Sequence, residues 1–243
     1  MTRSLHLAVR RTRYQGDPSG PPVLLVHGFA SRGSADWPDV RWAQPLAARG
    51  RDVLVVDLPG HGESAAPDGP APATAVISAL ADVVRAAGGA ADVVGYSLGA
   101  RLAWDLASAP GIEVRRLVLG GISPVEPFGL VDVDSARAAL SGGAAPADPL
   151  TGMILSMAQA PGNDPAALLD VVQGFATEPF DPAATPPRVP TLLLAGLDDP
   201  MTQGIEGLSV AVTDGRIERV PGDHIAALRS PELRDAALRF LSD

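Results

Sequence analysis

The sequence contains no cysteine and no lysine. Without cysteine, neither disulfide bonds nor thiolate metal sites can form. All 19 basic residues are arginine, and with 28 acidic residues they leave a formal net charge of −9. Because neutralising phosphates supplies most non-specific affinity for nucleic acid, an acidic chain is a poor nucleic-acid binder. We therefore expect no nucleic-acid partner.

Long apolar runs and metal-ligand clusters are also missing. Residues 1–13 alternate polar and apolar side chains and lack the apolar region of a signal peptide. No run is long enough to span a bilayer, so we expect a soluble, cytoplasmic protein without a membrane partner. The four histidines are scattered, and the glycine pairs at 88–89 and 120–121 do not match a dinucleotide-binding loop. We predict no metal and no cofactor.

Strand-like and helix-like segments alternate along the 243 residues, which suffice for one α/β domain. Short, continuously apolar runs are typical of strands that a parallel sheet buries on both faces. The pattern predicts an α/β fold, a mostly parallel central sheet with helices on both faces. Strands are expected at 5–9, 23–26, 53–56, 92–95, 116–119, 191–195 and 216–220. Helices are expected at 38–49, 74–87, 100–107, 135–140, 150–158, 165–175 and 231–241, the last with Ser230 as its N-cap.

Residues 95–99 read Gly-Tyr-Ser-Leu-Gly and lie between a strand-like and a helix-like run. This context is typical of a nucleophile elbow, a tight turn that projects the serine hydroxyl from the sheet edge. In such a turn the positions two before and two after Ser97 come close together, which favours glycine at both. Ser97 is therefore the candidate nucleophile.

Four further segments accompany this turn in a characteristic order. They are Val-His-Gly-Phe at 26–29, Asp-Leu-Pro-Gly-His-Gly-Glu-Ser at 57–64, Ala-Gly-Leu-Asp-Asp at 195–199 and Gly-Asp-His at 222–224. Together with the elbow, they make the chain resemble the α/β-hydrolase superfamily. The resemblance implies a core domain of residues 1–123 and 188–243. It also implies a small helical cap, residues 124–187, inserted after the sixth strand.

A serine hydroxyl needs a base, and histidine suits neutral pH. His224 follows the last predicted strand, so it falls at the carboxyl ends of the strands beside Ser97. His6 lies far from that edge, and the resemblance implies structural roles for His27 and His61. A carboxylate must orient the base; Asp198 and Asp199 both qualify, and the resemblance favours Asp199.

The resemblance also points to groups around the reacting atoms. The backbone N–H groups of Phe29 and Leu98 would form the oxyanion hole. Tyr96, which flanks the serine, packs into the sheet or contacts substrate. Further candidate contacts are Arg101 on the following helix and two methionines of the insertion, Met153 and Met157.

The favoured function is hydrolysis of carboxylic esters with small or medium hydrophobic groups, a small-molecule substrate. One alternative is lyase chemistry, because residues 95–101 and 57–62 also resemble SHCHC synthase of menaquinone biosynthesis. This resemblance implies a polyanionic substrate that is bound by several arginines, one of which matches Arg101. The predicted cap carries few cations, chiefly Arg137 and the flanking Arg188. A C–C bond hydrolase and a slow-turnover ligand receptor are further alternatives. The oligomeric state is left open.

Overall fold

A computed structural model describes residues 5–242. These residues form seven β-strands, ten α-helices and two single 3₁₀ turns. The strands are β1 (Val9–Thr12), β2 (Val23–Val26), β3 (Val53–Val56), β4 (Ala90–Tyr96), β5 (Glu113–Gly120), β6 (Thr191–Gly196) and β7 (Gly215–Val220). The helices are α1 (Gly33–Asp36), α2 (Ala43–Ala47), α3 (Ala73–Ala86), α4 (Leu98–Leu106), α5 (Val133–Leu140), α6 (Pro149–Ala158), α7 (Pro165–Ala176), α8 (Ile205–Ala211), α9 (His224–Arg229) and α10 (Pro231–Ser242). The 3₁₀ turns are Phe128–Leu130 and Pro200–Thr202.

The strands form one sheet in the order β1-β3-β2-β4-β5-β6-β7. Every neighbouring pair is parallel except β1 with β3. The predicted α/β class and mostly parallel sheet are therefore confirmed. Strands β2, β3 and β6 are buried along their whole length, as their continuous apolar sequences require.

The sheet separates two hydrophobic clusters, because successive side chains of a strand point to opposite faces. Leu24 and Val26 of β2 belong to the cluster with α3, α4, α7 and α8. Val23 and Leu25 belong to the cluster with α2, α9 and α10. Helices thus cover both faces, as predicted. Among residues 5–242, no helix is long and apolar enough to cross a membrane.

The first strand differs from the prediction at residues 5–9. Val9 pairs with Val56, the last residue of β3, so the ladder begins there and continues to Thr12. The preceding backbone instead contacts the loop after β3: the Asp57 N–H donates to the Ala8 carbonyl, and the Ala8 N–H donates to the Ser64 hydroxyl. A single-sequence pattern cannot show which partner a short edge segment meets.

The helix predicted at 38–49 is also shorter than expected. Residues 38–42 form a turn in which Arg41 and Trp42 donate to the Pro38 carbonyl, and only Ala43–Ala47 are helical. Trp37 and Trp42 are fully buried with their rings edge to face, 4.8 Å apart. Packing of these two indoles shapes the segment more than helix propensity does.

A helical insertion, residues 124–187, joins β5 to β6 and contains α5, α6 and α7. In chain order, the insertion follows β5, the fifth strand, whereas the resemblance implied an insertion after the sixth strand. The three predicted helices are present within two residues of their expected bounds. They share a small cluster of Ala136, Leu155 and Leu169, and several other apolar side chains of α6 and α7 join the cluster around α3 and α4.

Gly174 allows α7 to pack directly on the segment before α3. A Cβ at Gly174 would overlap the backbone of Ala71, whose N–H donates to the Asp170 carbonyl at 3.3 Å. Gly152 on α6, by contrast, has no atom within 4 Å of such a Cβ. The two glycines therefore allow a matched test of how the insertion is docked.

We predict that Gly174→Ala lowers the free energy of unfolding by about 1–3 kcal/mol, because the methyl group forces α7 away from Ala71. Gly152→Ala should raise it by about 0.5–1 kcal/mol, because alanine loses less backbone entropy in a helix. Urea unfolding of both variants provides the measurement. Equal effects of the two substitutions would contradict the close approach at Gly174.

Candidate active site

Ser97 occupies a strained turn between β4 and α4. Its backbone angles, φ 53° and ψ −116°, lie where a side chain is rarely tolerated. A Cβ at Gly95 would overlap the carbonyl of Gly99, and one at Gly99 would overlap the carbonyl of Val26. The two glycines therefore allow the turn to close beside β2, as the elbow motif predicts.

His224 and Asp199 form a directly hydrogen-bonded pair. The imidazole Nδ1 lies 2.7 Å from Oδ2 of Asp199, whose side chain is fully buried. The other carboxylate oxygen accepts the N–H of Met201 at 2.9 Å, so the turn after β6 fixes the acid. Since a carboxylate only accepts, the partner assigns the proton to Nδ1 and leaves the Nε2 lone pair available. His224 and Ser97 line the same cavity.

The neighbouring acids are arranged differently. Asp198 is exposed to solvent. Asp223 accepts the N–H groups of Ile225 and Ala226 at the start of α9. His224 is the first residue of that short helix, which is not among the helices predicted from the sequence. Asp199, and not Asp198, is therefore the residue that forms the hydrogen bond with His224.

Tyr96 is not among the residues that line the cavity, and of its two expected positions it takes the one packed into the sheet. Its side chain is buried under β5, and its hydroxyl donates to the backbone carbonyl of His224 at 2.5 Å. Burial and the nearby charge of Asp199 raise the pKa of this phenol above its ordinary value. Tyr96 therefore positions the backbone that carries His224.

Gly121 is a residue that motif reasoning overlooked. It has a φ of +60°, and a Cβ there would lie 2.9 Å from both the His224 ring and the Tyr96 ring. The glycine pair at 120–121 matches no nucleotide-binding motif, so motif comparison alone does not predict a role for it. Its position after a buried strand was the available signal for a close approach.

The backbone N–H groups of Phe29 and Leu98 have no hydrogen-bond acceptor among the described residues. Leu98 opens α4, where the helix dipole favours negative charge. A Cβ at Gly28 would lie 3.4 Å from Cβ of Ser97, so the loop after β2 reaches the elbow. Asp36, which was not predicted, holds that loop by accepting the Gly28 N–H at 2.9 Å.

His27 and His61 brace the same loop, as the resemblance implied. His27 donates from Nδ1 to the Gly28 carbonyl and accepts the Leu58 N–H at Nε2, at 2.7 and 2.9 Å. His61 donates to the Pro59 carbonyl at 2.8 Å and accepts the Ala30 N–H at 3.1 Å. Burial lowers the pKa of both imidazoles, that of His61 to about 3. Both rings are therefore neutral at pH 7.

A cavity of about 400 Å³ opens above Ser97. Most of its wall is apolar, and much of it comes from the insertion. Met153 and Met157 face it with 48% and 38% of their surface exposed. Its apolar lining includes Phe29, Leu98, Phe128, Leu150, Met153, Ile154, Met157, Phe180 and Ile225.

Arg101 also lines this cavity, paired with a carboxylate. Its Nε lies 3.0 Å from Oε2 of Glu126, and the two side chains are 8% and 5% exposed. Burial lowers the pKa of Arg101 and raises that of Glu126, and the attraction between them opposes both shifts. The positive charge of Arg101 is thus balanced by the carboxylate of Glu126 within the cavity wall.

A family model described as the alpha/beta hydrolase family matches residues 23–236. The chain belongs to the alpha/beta hydrolase family. This confirms the resemblance drawn from the five sequence segments. Hydrolases predominate in the family, so the finding also supports the expected enzyme class without identifying a substrate.

Individual relatives match over a shorter region. An esterase of Mycobacterium tuberculosis is 36% identical over 119 residues, which are 48% of this chain and 37% of that protein. The 2-succinyl-6-hydroxy-2,4-cyclohexadiene-1-carboxylate synthase of Klebsiella pneumoniae is 33% identical over 128 residues, 51% of this chain and 45% of that protein. The matches thus span less than half the length of these curated relatives.

A solved structure extends the likeness to the whole fold. An esterase of Thermogutta terrifontis superposes with a TM-score of 0.77 at 22% identity, covering 97% of this chain and 92% of that one. Because the identity is low, this similarity establishes the shared fold alone.

The neutral His61 generates a prediction about acid stability. Its folded pKa, about 3, is lower than the ordinary value of 6.5, so the unfolded chain binds more protons between these values. Stability is therefore lost as pH falls from 6.5 towards 3, by about 1.4 kcal/mol per pH unit from this group. Urea unfolding at several pH values should show a flatter dependence for His61→Gln than for the wild type.

His6→Gln is the matched control, because it removes an exposed imidazole outside this network. It should keep the wild-type slope. Equal slopes for His61→Gln and the wild type would show that His61 is not held neutral by the fold.

Proposed function

We propose that this protein is a serine hydrolase acting on carboxylic esters with small or medium hydrophobic groups. The observation that carries the proposal is the Asp199–His224 pair, which shares one apolar cavity with the strained Ser97. A nucleophile after β4, an oriented base after β7 and an acid after β6 are the parts that acyl transfer requires.

In the proposed reaction, the Ser97 hydroxyl attacks the acyl carbon while Nε2 of His224 takes its proton. The carbonyl electrons move to oxygen, and the N–H groups of Phe29 and Leu98 stabilise that negative charge. The tetrahedral intermediate collapses, and His224 returns the proton to the departing alcohol. Asp199 stabilises the imidazolium throughout.

A water molecule then attacks the acyl group on Ser97. His224 takes the water's proton and gives it to the serine oxygen as the acyl bond breaks. The carboxylic acid leaves, and the hydroxyl is restored. Both half-reactions thus use the same base and the same backbone donors.

The substrate class is inferred from the cavity wall. Residues 124–187 are proposed to act as a cap, because α6 supplies Leu150, Met153, Ile154 and Met157 to the wall. Methionine packs adaptably against apolar groups. Arg137, the cation noted in the insertion, pairs with Asp170 at 2.7 Å and is not among the residues lining the cavity.

We expect p-nitrophenyl esters from acetate to dodecanoate to be hydrolysed, with an optimum at short or medium chain length. Ser97→Ala should lower kcat by about 10⁶-fold, because the nucleophile is removed. Ser123→Ala is the matched control, since Ser123 lines the same cavity but lies outside the elbow. Absence of turnover across the series, in folded protein, would exclude a general esterase.

Substituting the adjacent residues Asp198 and Asp199 one at a time distinguishes the proposed role of Asp199 from a general effect of lost negative charge. Asp199→Asn should lower kcat/KM by about 10³- to 10⁴-fold, because the amide no longer stabilises the imidazolium. Asp198→Asn removes the same charge one residue away, at an exposed position. It should keep kcat/KM within about threefold of the wild type. Similar losses in both variants would contradict the assignment.

A lyase reaction is the second candidate, because the synthase of Klebsiella pneumoniae is among the relatives. The resemblance implies that such an enzyme uses a serine, acid and histidine set to release pyruvate from a polyanionic substrate. Here the cavity's one lining cation among residues 5–242, Arg101, is already paired with Glu126. Pyruvate release from that synthase's substrate, exceeding ester turnover, would favour the lyase.

A C–C bond hydrolase and a ligand receptor with slow turnover are the further alternatives to an esterase. A ligand that raises the melting temperature without being consumed would favour the receptor. Cleavage of a carbon–carbon bond in a diketone, dependent on Ser97, would favour the C–C hydrolase.

A further inference from the structure

An ion pair in the wall of an apolar cavity requires an explanation. The side chains of Arg101 and Glu126 are both more than nine-tenths buried, and their charged atoms approach to 3.0 Å. Removing charges from water is expensive, and apolar side chains of similar size often stabilise a fold as well or better. Stability alone therefore does not account for this pair at this place.

The two residues come from different parts of the chain. Arg101 lies one turn into α4, and its backbone N–H donates to the Ser97 carbonyl at 3.1 Å. Glu126 lies in the first loop of the insertion, where Oε1 accepts the Phe128 N–H at 3.2 Å. Arg101 and Ser97 line the same cavity, and one helical turn rises about 5.4 Å, so a short substrate held at Ser97 can extend along the wall to the guanidinium.

Other contacts hold the guanidinium without neutralising it. It stacks 4.6 Å from the centre of the Phe175 ring, and Nη2 donates to the Glu178 carbonyl at 2.6 Å. Nη1 and Nε have no hydrogen-bond acceptor among the described residues, so the 3.0 Å approach to Glu126 is an ion pair without hydrogen-bond geometry. Within that part of the chain, Glu126 is the one carboxylate within 4.0 Å of the guanidinium.

We propose that Glu126 determines which substrate charge is accepted, because its carboxylate neutralises Arg101, which would otherwise attract a substrate carboxylate. With Glu126 in place, the cavity accepts neutral groups, and an anionic group meets a carboxylate. Without its charge, no carboxylate among residues 5–242 lies within 4.0 Å of the buried cation, and a substrate that carries a carboxylate supplies one. This inference rests on the proposed ester hydrolysis and adds its charge selectivity.

The test compares an anionic ester with a neutral ester of the same shape. Monomethyl glutarate and methyl 5-methylhexanoate differ in having a carboxylate or an isopropyl group at the chain end. 4-Acetoxybutanoate places a carboxylate on the alcohol side instead, with 4-methylpentyl acetate as its neutral partner. The ratio of kcat/KM for anionic over neutral ester is measured at pH 8 for each variant.

We expect Glu126→Gln to raise this ratio at least tenfold for one of the two ester pairs. Glu126→Asp keeps the negative charge and should stay near the wild-type ratio. Arg101→Met combined with Glu126→Gln should abolish the gain, because the cation is gone. Glu113→Gln makes the same change in net charge at an exposed position and should have no effect.

A second readout does not depend on turnover. In the Ser97→Ala background, monomethyl glutarate or 4-acetoxybutanoate should raise the melting temperature of Glu126→Gln but not of the protein with Glu126 intact. If no variant hydrolyses any ester, the proposed function fails, and this shift still decides the inference. The inference is overturned if Glu126→Gln shows neither a changed ratio nor a carboxylate-dependent shift, or if the wild type already favours the anionic esters.

Discussion

The backbone strain at Ser97 is the constraint on which the arrangement of the site depends. A serine with φ 53° persists only where its surroundings leave no alternative. Here the Ser97 N–H donates to the Gly120 carbonyl at 2.8 Å, and Gly99 lies directly against the Val26 carbonyl. The turn is thus held by the strands on both sides of β4. Moving the serine would require the centre of the sheet to move.

The parallel sheet then determines where the other groups can come from. Carboxyl ends of parallel strands meet at one edge, so the segments after β2, β6 and β7 converge on the turn after β4. Asp199 follows β6, and His224 follows β7. Tyr96 connects the two halves, since it precedes Ser97 and its hydroxyl binds the His224 carbonyl. The proposed nucleophile and the proposed base are therefore linked through buried structure and not only through the open cavity.

This dependence explains which features the sequence could predict. The central strands were predicted within three residues because a strand buried on both faces is continuously apolar, as at Leu24–Val26 and Leu192–Leu194. Ser97 and its glycines were predicted because the tight turn admits few other residues. The side-chain direction of Tyr96, the pairing of Glu126 with Arg101 and the first residue of β1 depend on contacts distant in sequence. No local pattern records such contacts, and a lone glutamate in a proline-rich loop carries no signal of burial.

The groups proposed for reactivity and those proposed for substrate selectivity lie in different parts of this molecule. The groups proposed to make and break bonds lie on strand ends and backbone amides, which the sheet holds whatever the substrate. Half of the residues that line the cavity belong to residues 124–187, whose helices pack on the core through apolar contacts and Gly174. Glu126 lies where these two parts meet, and it sets the charge seen by a bound substrate while leaving Ser97, His224 and Asp199 in place. A substitution there would alter which ester is accepted without rebuilding the sheet edge that carries the proposed chemistry.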